Sequence, residues 1–136
     1  MVEKPRRPLD CSLIESAKKN QLCIEDIREK TETVEEILEH RKESLSIIRC
    51  RDCGQFFVDY FREQLTPWFE DEYWQLWIPI GQDEIENCKA GKVEYIKELV
   101  KTRYFLRTHP VGEPYFPIEI LWEKGNEILL GSLFSF

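Results

Sequence analysis

The chain of 136 residues carries 19 Lys and Arg against 26 Asp and Glu, a net charge of −7, with 42% apolar residues and seventeen aromatics. This composition suits one ordinary folded domain and excludes disordered, collagenous and low-complexity chains. The acidic balance speaks against partners bound through phosphate neutralisation, nucleic acid or an anionic membrane surface, and no run of about 18 apolar residues exists to span a bilayer.

Residues 1–9, with Pro5, Pro8 and three basic side chains, predict a flexible basic arm ahead of a single domain over 10–136. No apolar stretch of the signal-peptide kind follows Met1, so the expected compartment is the cytoplasm. Asp10 or Ser12 can cap a first helix with Leu13, Ile14 and Ala17 on one face, ended by Asn20. From Cys23 to Leu45 the spacing of Ile24, Ile27, Val34, Ile37, Leu38 and Leu45 is helical, as two helices or one broken one. A DNA-reading helix-turn-helix is disfavoured there, because its outward residues would be Glu25, Asp26 and Glu29.

The period then changes. Ser46–Arg49 and Phe56–Phe61 are short β-branched and aromatic runs around a turn, which predicts a hairpin. Trp74–Ile80 is a third strand, limited by Pro79 to an edge or a strand end. A short helical turn follows at Asp83–Cys88, then a helix after Gly91 with Val93, Ile96, Leu99 and Val100 on its apolar face. Tyr104–Leu106 can extend onto the sheet, 108–117 reads as a Pro-rich loop, and 118–123 with 128–136 reads as a terminal hairpin. The predicted class is α+β: N-terminal helices, then a mostly antiparallel sheet covered on one side, with one helical insertion and a C-terminal hairpin.

Five cysteines, Cys11, Cys23, Cys50, Cys53 and Cys88, form an odd set that fits a reducing compartment. Cys50 and Cys53 stand in Cys-x-x-Cys-Gly between two strands, the form of a zinc knuckle, with Gly54 free to take positive φ. They are candidate metal ligands. A structural zinc site needs four, and the remaining donors are the scattered Cys11, Cys23, Cys88, His40 and His109, of which Cys88 and His109 can complete a site. The alternative is a knuckle-shaped turn that holds no metal. A thioredoxin-like redox motif fits less well, since its Cys-x-x-Cys opens a helix.

The charge is uneven. Residues 1–62 hold 12 basic and 13 acidic side chains, and 89–136 hold 7 and 6. Residues 63–88 hold no Lys or Arg and seven carboxylates, Glu63, Glu70, Asp71, Glu72, Asp83, Glu84 and Glu86, interleaved with Trp68, Tyr73, Trp74 and Trp77. Aromatic anchors ringed by like charge suit a protein interface with a basic partner. The expected contact residues are Trp68, Glu70, Asp71, Glu72, Tyr73, Trp74, Asp83, Glu84 and Glu86. The alternative is that the rings are core and the acids a solvated loop.

Catalysis has no signature here. Nucleophile-elbow and phosphate-loop motifs are absent, and His40 and His109 stand without a nucleophile partner in sequence. The expectation is a non-catalytic binding protein with no cofactor, or with zinc alone.

Cys50-Arg51-Asp52-Cys53-Gly54-Gln55 with Phe56 and Phe57 behind it, followed by an acidic, Trp-rich segment, resembles the small immunity proteins of bacterial polymorphic-toxin and contact-dependent-inhibition systems. Several of those families carry a single Cys-x-x-Cys-Gly turn in a small α+β domain. The resemblance spans residues 46–80, and the flanking helices and hairpin match no one family. It implies a cytoplasmic protein that binds and blocks a cognate toxin, often a basic nuclease, with the acidic window facing it. The alternative reading is a zinc-knuckle regulatory or adaptor module that binds another protein.

Overall fold

A computed structural model describes residues 11–19, 21–40, 43–64, 72–110 and 118–124. Two short helices, α1 (Ser12–Lys18) and α2 (Ile24–Lys30), precede four strands, β1 (Thr31–His40), β2 (Glu43–Cys50), β3 (Phe56–Gln64) and β4 (Glu72–Ile80). A 3-10 turn (Gln82–Glu84) leads into α3 (Ile85–Thr102), followed by β5 (Tyr104–Pro110) and β6 (Ile118–Lys124). The strands form one antiparallel sheet in sequence order, with α3 as the connection between β4 and β5. The α+β class is therefore as the sequence predicts. The predicted arm, the loop at 111–117 and the second arm of the terminal hairpin at 128–136 lie outside the described residues.

Three features differ from the sequence reading. Residues 31–40 form a strand rather than helix. The β1–β2 register shifts between Thr33 and Glu35 and again between Glu36 and Leu38, so Val34 and Ile37 are extra residues with no partner in β2. Each bulge flips the facing of the residues after it, turning the period of two into the 3–4 spacing of a helix.

Second, the sheet is covered on both faces. Leu45, Ile47, Val58, Tyr60, Leu76, Ile78 and Phe105 pack with Cys88, Ile96, Leu99 and Val100 of α3. Ile48, Cys50, Phe57, Trp77, Leu106 and Ile120 pack instead with Cys11, Leu13, Ile14 and Ala17 of the α1 segment and with Ile27 of α2. Neighbours along each strand alternate between these two cores, as the pleat requires. Third, Thr108–Pro110 belong to β5 rather than to a loop.

β4 is an interior strand, yet Pro79 is tolerated because it lies near the strand end, beyond the Leu76 and Trp77 pairs with β5. Arg103 Nη1 donates to the Pro79 carbonyl at 3.0 Å. Within α3, Lys92 has φ 50° and ψ −131°, a break that splits the helix where the sequence places one, beside Gly91. A Cβ on Gly91 would stand 2.7 Å from Tyr95 Cβ, so no side chain fits there. No helix among the described residues is long and apolar enough to cross a membrane.

Candidate metal centre

The β2–β3 hairpin closes through Cys50 N–H to Gln55 O and Gly54 N–H to Cys50 O, both 2.9 Å, with Gly54 at φ 81°. That turn holds both of its cysteines near one point. Two further bonds fasten the N-terminal segment to it: Arg51 N–H donates to Lys30 O at 2.7 Å, and Ser12 Oγ donates to Asp52 Oδ2 at 3.3 Å. The apolar face of α1, Leu13, Ile14 and Ala17, buries against the same side of the sheet. Cys11, the residue that opens α1, is thereby carried to the turn.

The result is a group of three thiols, Cys11, Cys50 and Cys53, with all Sγ atoms within 4.8 Å of one another. Tetrahedral thiolates bound to zinc at about 2.3 Å lie roughly 3.8 Å apart, so closing on an ion asks for only small side-chain movement. Cys11 and Cys50 are fully buried and Cys53 half-buried. Burial pushes the Cys11 thiol up to about 12, against the Leu13 and Ile14 amides that draw it down, and the Cys50 and Cys53 sulfurs push the same way as burial. A thiol so placed is a poor nucleophile at neutral pH. A divalent cation replacing the proton would remove the penalty, because coordination supplies the charge that burial withholds.

The other sequence candidates are placed elsewhere. Cys88 belongs to α3 and packs into the core on the opposite face of the sheet, so the pairing of Cys88 with the Cys50 turn is overturned by the sheet itself. Cys23 is exposed and caps α2, where its N–H and its thiol meet Asp26 Oδ2 at 3.1 and 3.2 Å. His109 lies in β5 opposite Glu119 and His40 at the end of β1, and both side chains lie outside the described residues. Among the described residues the group has three members, and Cys11 is the one that spacing did not single out. Its only sequence signal is that it stands directly before an amphipathic helix.

The acidic window divides. Trp68, Glu70 and Asp71 lie outside the described residues. Glu72, Tyr73 and Trp74 open β4, opposite Gln64, Glu63 and Arg62, with side chains outside the described residues. Asp83 and Glu86 are exposed. Glu84 is not a surface acid: it is 6% exposed and accepts from Arg103, from Gly81 N–H at 2.9 Å and from Tyr95 OH at 3.2 Å. Burial pushes its carboxyl up, but the Arg103 guanidinium, the Gly81 amide and Tyr95 outweigh it and hold it below its ordinary value. Lys89 bridges Glu86 at 3.5 Å and Glu35 of β1 at 3.2 Å, which sets the exposed end of the window beside an edge strand that also carries Glu32, Glu36 and Glu39.

No protein-family model, curated protein or solved structure matches the chain.

Proposed function

We propose that the chain is a non-catalytic protein-binding module of the adaptor kind, organised by a zinc ion at Cys11, Cys50 and Cys53. The observation that carries this reading is the convergence of the three sulfurs. Two of them come from a knuckle turn and the third from the residue before α1, a helix of only seven residues. An isolated helix of that length is unstable in water, so a metal clip at its N-cap would add to the packing of Leu13, Ile14 and Ala17 in holding it. The three sulfurs supply three of the four donors a structural zinc site needs, and the fourth would come from outside this group.

The surface that such a module offers is acidic. The Glu35–Lys89–Glu86 bridge joins the exposed end of the 63–88 window to the four glutamates of β1, and this juxtaposition favours a basic protein partner. An immunity-type inhibitor of a basic toxin is the specific form of this reading.

Native mass spectrometry of protein produced without added metal tests the carrying claim. One zinc per chain is expected, retained by Cys88→Ser and lost in Cys11→Ser and Cys50→Ser. A metal-free wild type, or a Cys88→Ser variant that loses zinc as readily as Cys11→Ser, overturns it.

A further inference from the structure

Three sulfurs leave a tetrahedral ion one donor short, and the surroundings decide on which side the fourth vertex lies. Cys11 and Cys50 are fully buried in the cluster that holds Leu13, Ile14, Ile48, Phe57 and Leu106, side chains that offer a metal no donor. Cys53 is half-buried, and its turn neighbours Arg51 and Asp52 are exposed. The inner side is therefore closed by apolar packing, and the vertex opens beside Cys53, at the tip of the β2–β3 hairpin. Asp52, the carboxylate within the turn, stands outside the group of donors, and its Oδ2 accepts from Ser12 Oγ at 3.3 Å.

We propose that an ion held by Cys11, Cys50 and Cys53 keeps its fourth position open beside Cys53 and takes there a neutral nitrogen donor, the imidazole of a histidine on a protein partner. The inference rests on the zinc reading and names how such a module would engage what it binds. Charge selects the donor. A divalent ion with three thiolates carries one net negative charge, and a carboxylate or a fourth thiolate would double it where two of the three sulfurs are shut off from water. The exposed carboxylate of Asp52 in the same turn adds to the bias against a further anion. Imidazole leaves the charge unchanged, is a good zinc ligand, and completes three cysteines and one histidine, a set that structural zinc sites use.

Cobalt(II) bound to the full chain at neutral pH is the probe, because its sulfur charge-transfer absorption reports the three thiolates and its visible d–d bands report the fourth donor. Imidazole at millimolar concentration is expected to shift the d–d bands saturably while the charge-transfer absorption is kept, and the blocked tripeptide Gly-His-Gly is expected to do the same. Acetate is expected to bind roughly tenfold more weakly. Asp10, next to Cys11 in sequence and outside the described residues, is the chain's own competitor, and Asp10→Ala is expected to leave the imidazole affinity unchanged. Bands indifferent to imidazole, acetate binding as well as imidazole, or an imidazole affinity that rises in Asp10→Ala overturns the proposal and leaves the zinc reading standing. So does charge-transfer absorption that disappears as imidazole is added, which means that the ion is stripped rather than completed. A response to imidazole without one to the peptide overturns the assignment to a partner's histidine. Cobalt that gives no sulfur charge transfer at all removes the zinc reading and this inference with it.

Discussion

Glu84 stands in the middle of the acidic window, yet its surroundings make it a stabilising residue, and the substitution Glu84→Gln separates the two roles. Its side chain is 8% exposed and that of its partner Arg103 19% exposed. Glutamine keeps the size and one acceptor, so the Gly81 amide or one guanidinium N–H can still be met, but the guanidinium loses its counter-charge. Removing one partner of a fully buried pair costs about 3–5 kcal/mol, and hydrogen bonds to charged groups are worth about 1.5–3. With Arg103 one-fifth exposed and still bonded to the Pro79 carbonyl, the expected loss is about 2–3 kcal/mol, a large part of a total near 5–15. In urea unfolding followed by circular dichroism this is a fall in midpoint of about 1–2 M at unchanged slope. Glu86→Gln, whose side chain is 81% exposed, is the control and should stay within about 0.5 kcal/mol of wild type. The difference also depends on pH. The folded carboxyl titrates below its ordinary 4.5, so the unfolded chain takes the proton first as the pH falls. The contribution is full above that ordinary value and is lost as the pH drops through the lower folded one. A Glu84→Gln variant as stable as Glu86→Gln, or a deficit that persists undiminished in acid, would refute the buried-pair argument.

Three further outcomes are expected. Lys92→Gly should raise stability by about 1 kcal/mol in thermal or urea unfolding, because Lys92 holds φ 50°, ψ −131°, a region that only glycine enters cheaply. Gly54→Ala should lower stability by about 1–2 kcal/mol through its φ of 81° alone, since the added Cβ meets nothing closer than the Arg49 side chain at 3.8 Å; an unchanged midpoint would count against the left-handed turn. Asp59→Asn should stabilise the protein at neutral pH. Burial holds that carboxyl above its ordinary value against the pull of Gln75 and Trp77, so its charge costs stability at high pH and the advantage of Asn should vanish as the pH falls through the folded titration. A uniform loss at all pH values would show that the carboxylate stabilises the fold.

What the sequence discloses follows how local each signal is. The β2–β3 hairpin is legible because β-branched and aromatic runs flank a turn whose Gly54 must take positive φ, and all of that lies within a dozen or so residues. The break in α3 is legible for the same reason, from Gly91 amid an otherwise apolar-periodic run. β1 is not, because two bulges sit in it and a period argument has no means of knowing where a register shifts. Glu84 is misjudged because a charge count treats every carboxylate as solvated, and its neutralising partner, Arg103, comes from the far end of α3.

Coverage of both sheet faces also changes how the strands should be interpreted. A one-sided sheet alternates apolar and polar residues, so a polar side chain in a strand is ordinary; a two-sided sheet gives nearly continuous apolar runs, and a polar interruption then marks a site. Phe56-Phe57-Val58-Asp59-Tyr60-Phe61 is such a run, and its interruption, Asp59, accepts from Gln75 of the neighbouring strand beside Trp77. The same logic applies to Cys50, which ends β2 on the α1 side and leads to the one described place where three sulfurs meet. In both cases one helix-facing side of the sheet collects the groups whose chemistry exceeds packing. The α3 side holds, within its apolar core, the thiol of Cys88 and the hydroxyl of Tyr60, which donates to Glu43, and at its margin the buried Glu84–Arg103 pair with Tyr95. The zinc reading accordingly rests on the α1 side, where a helix of seven residues covers the Cys50 turn on the face that α3 does not pack against.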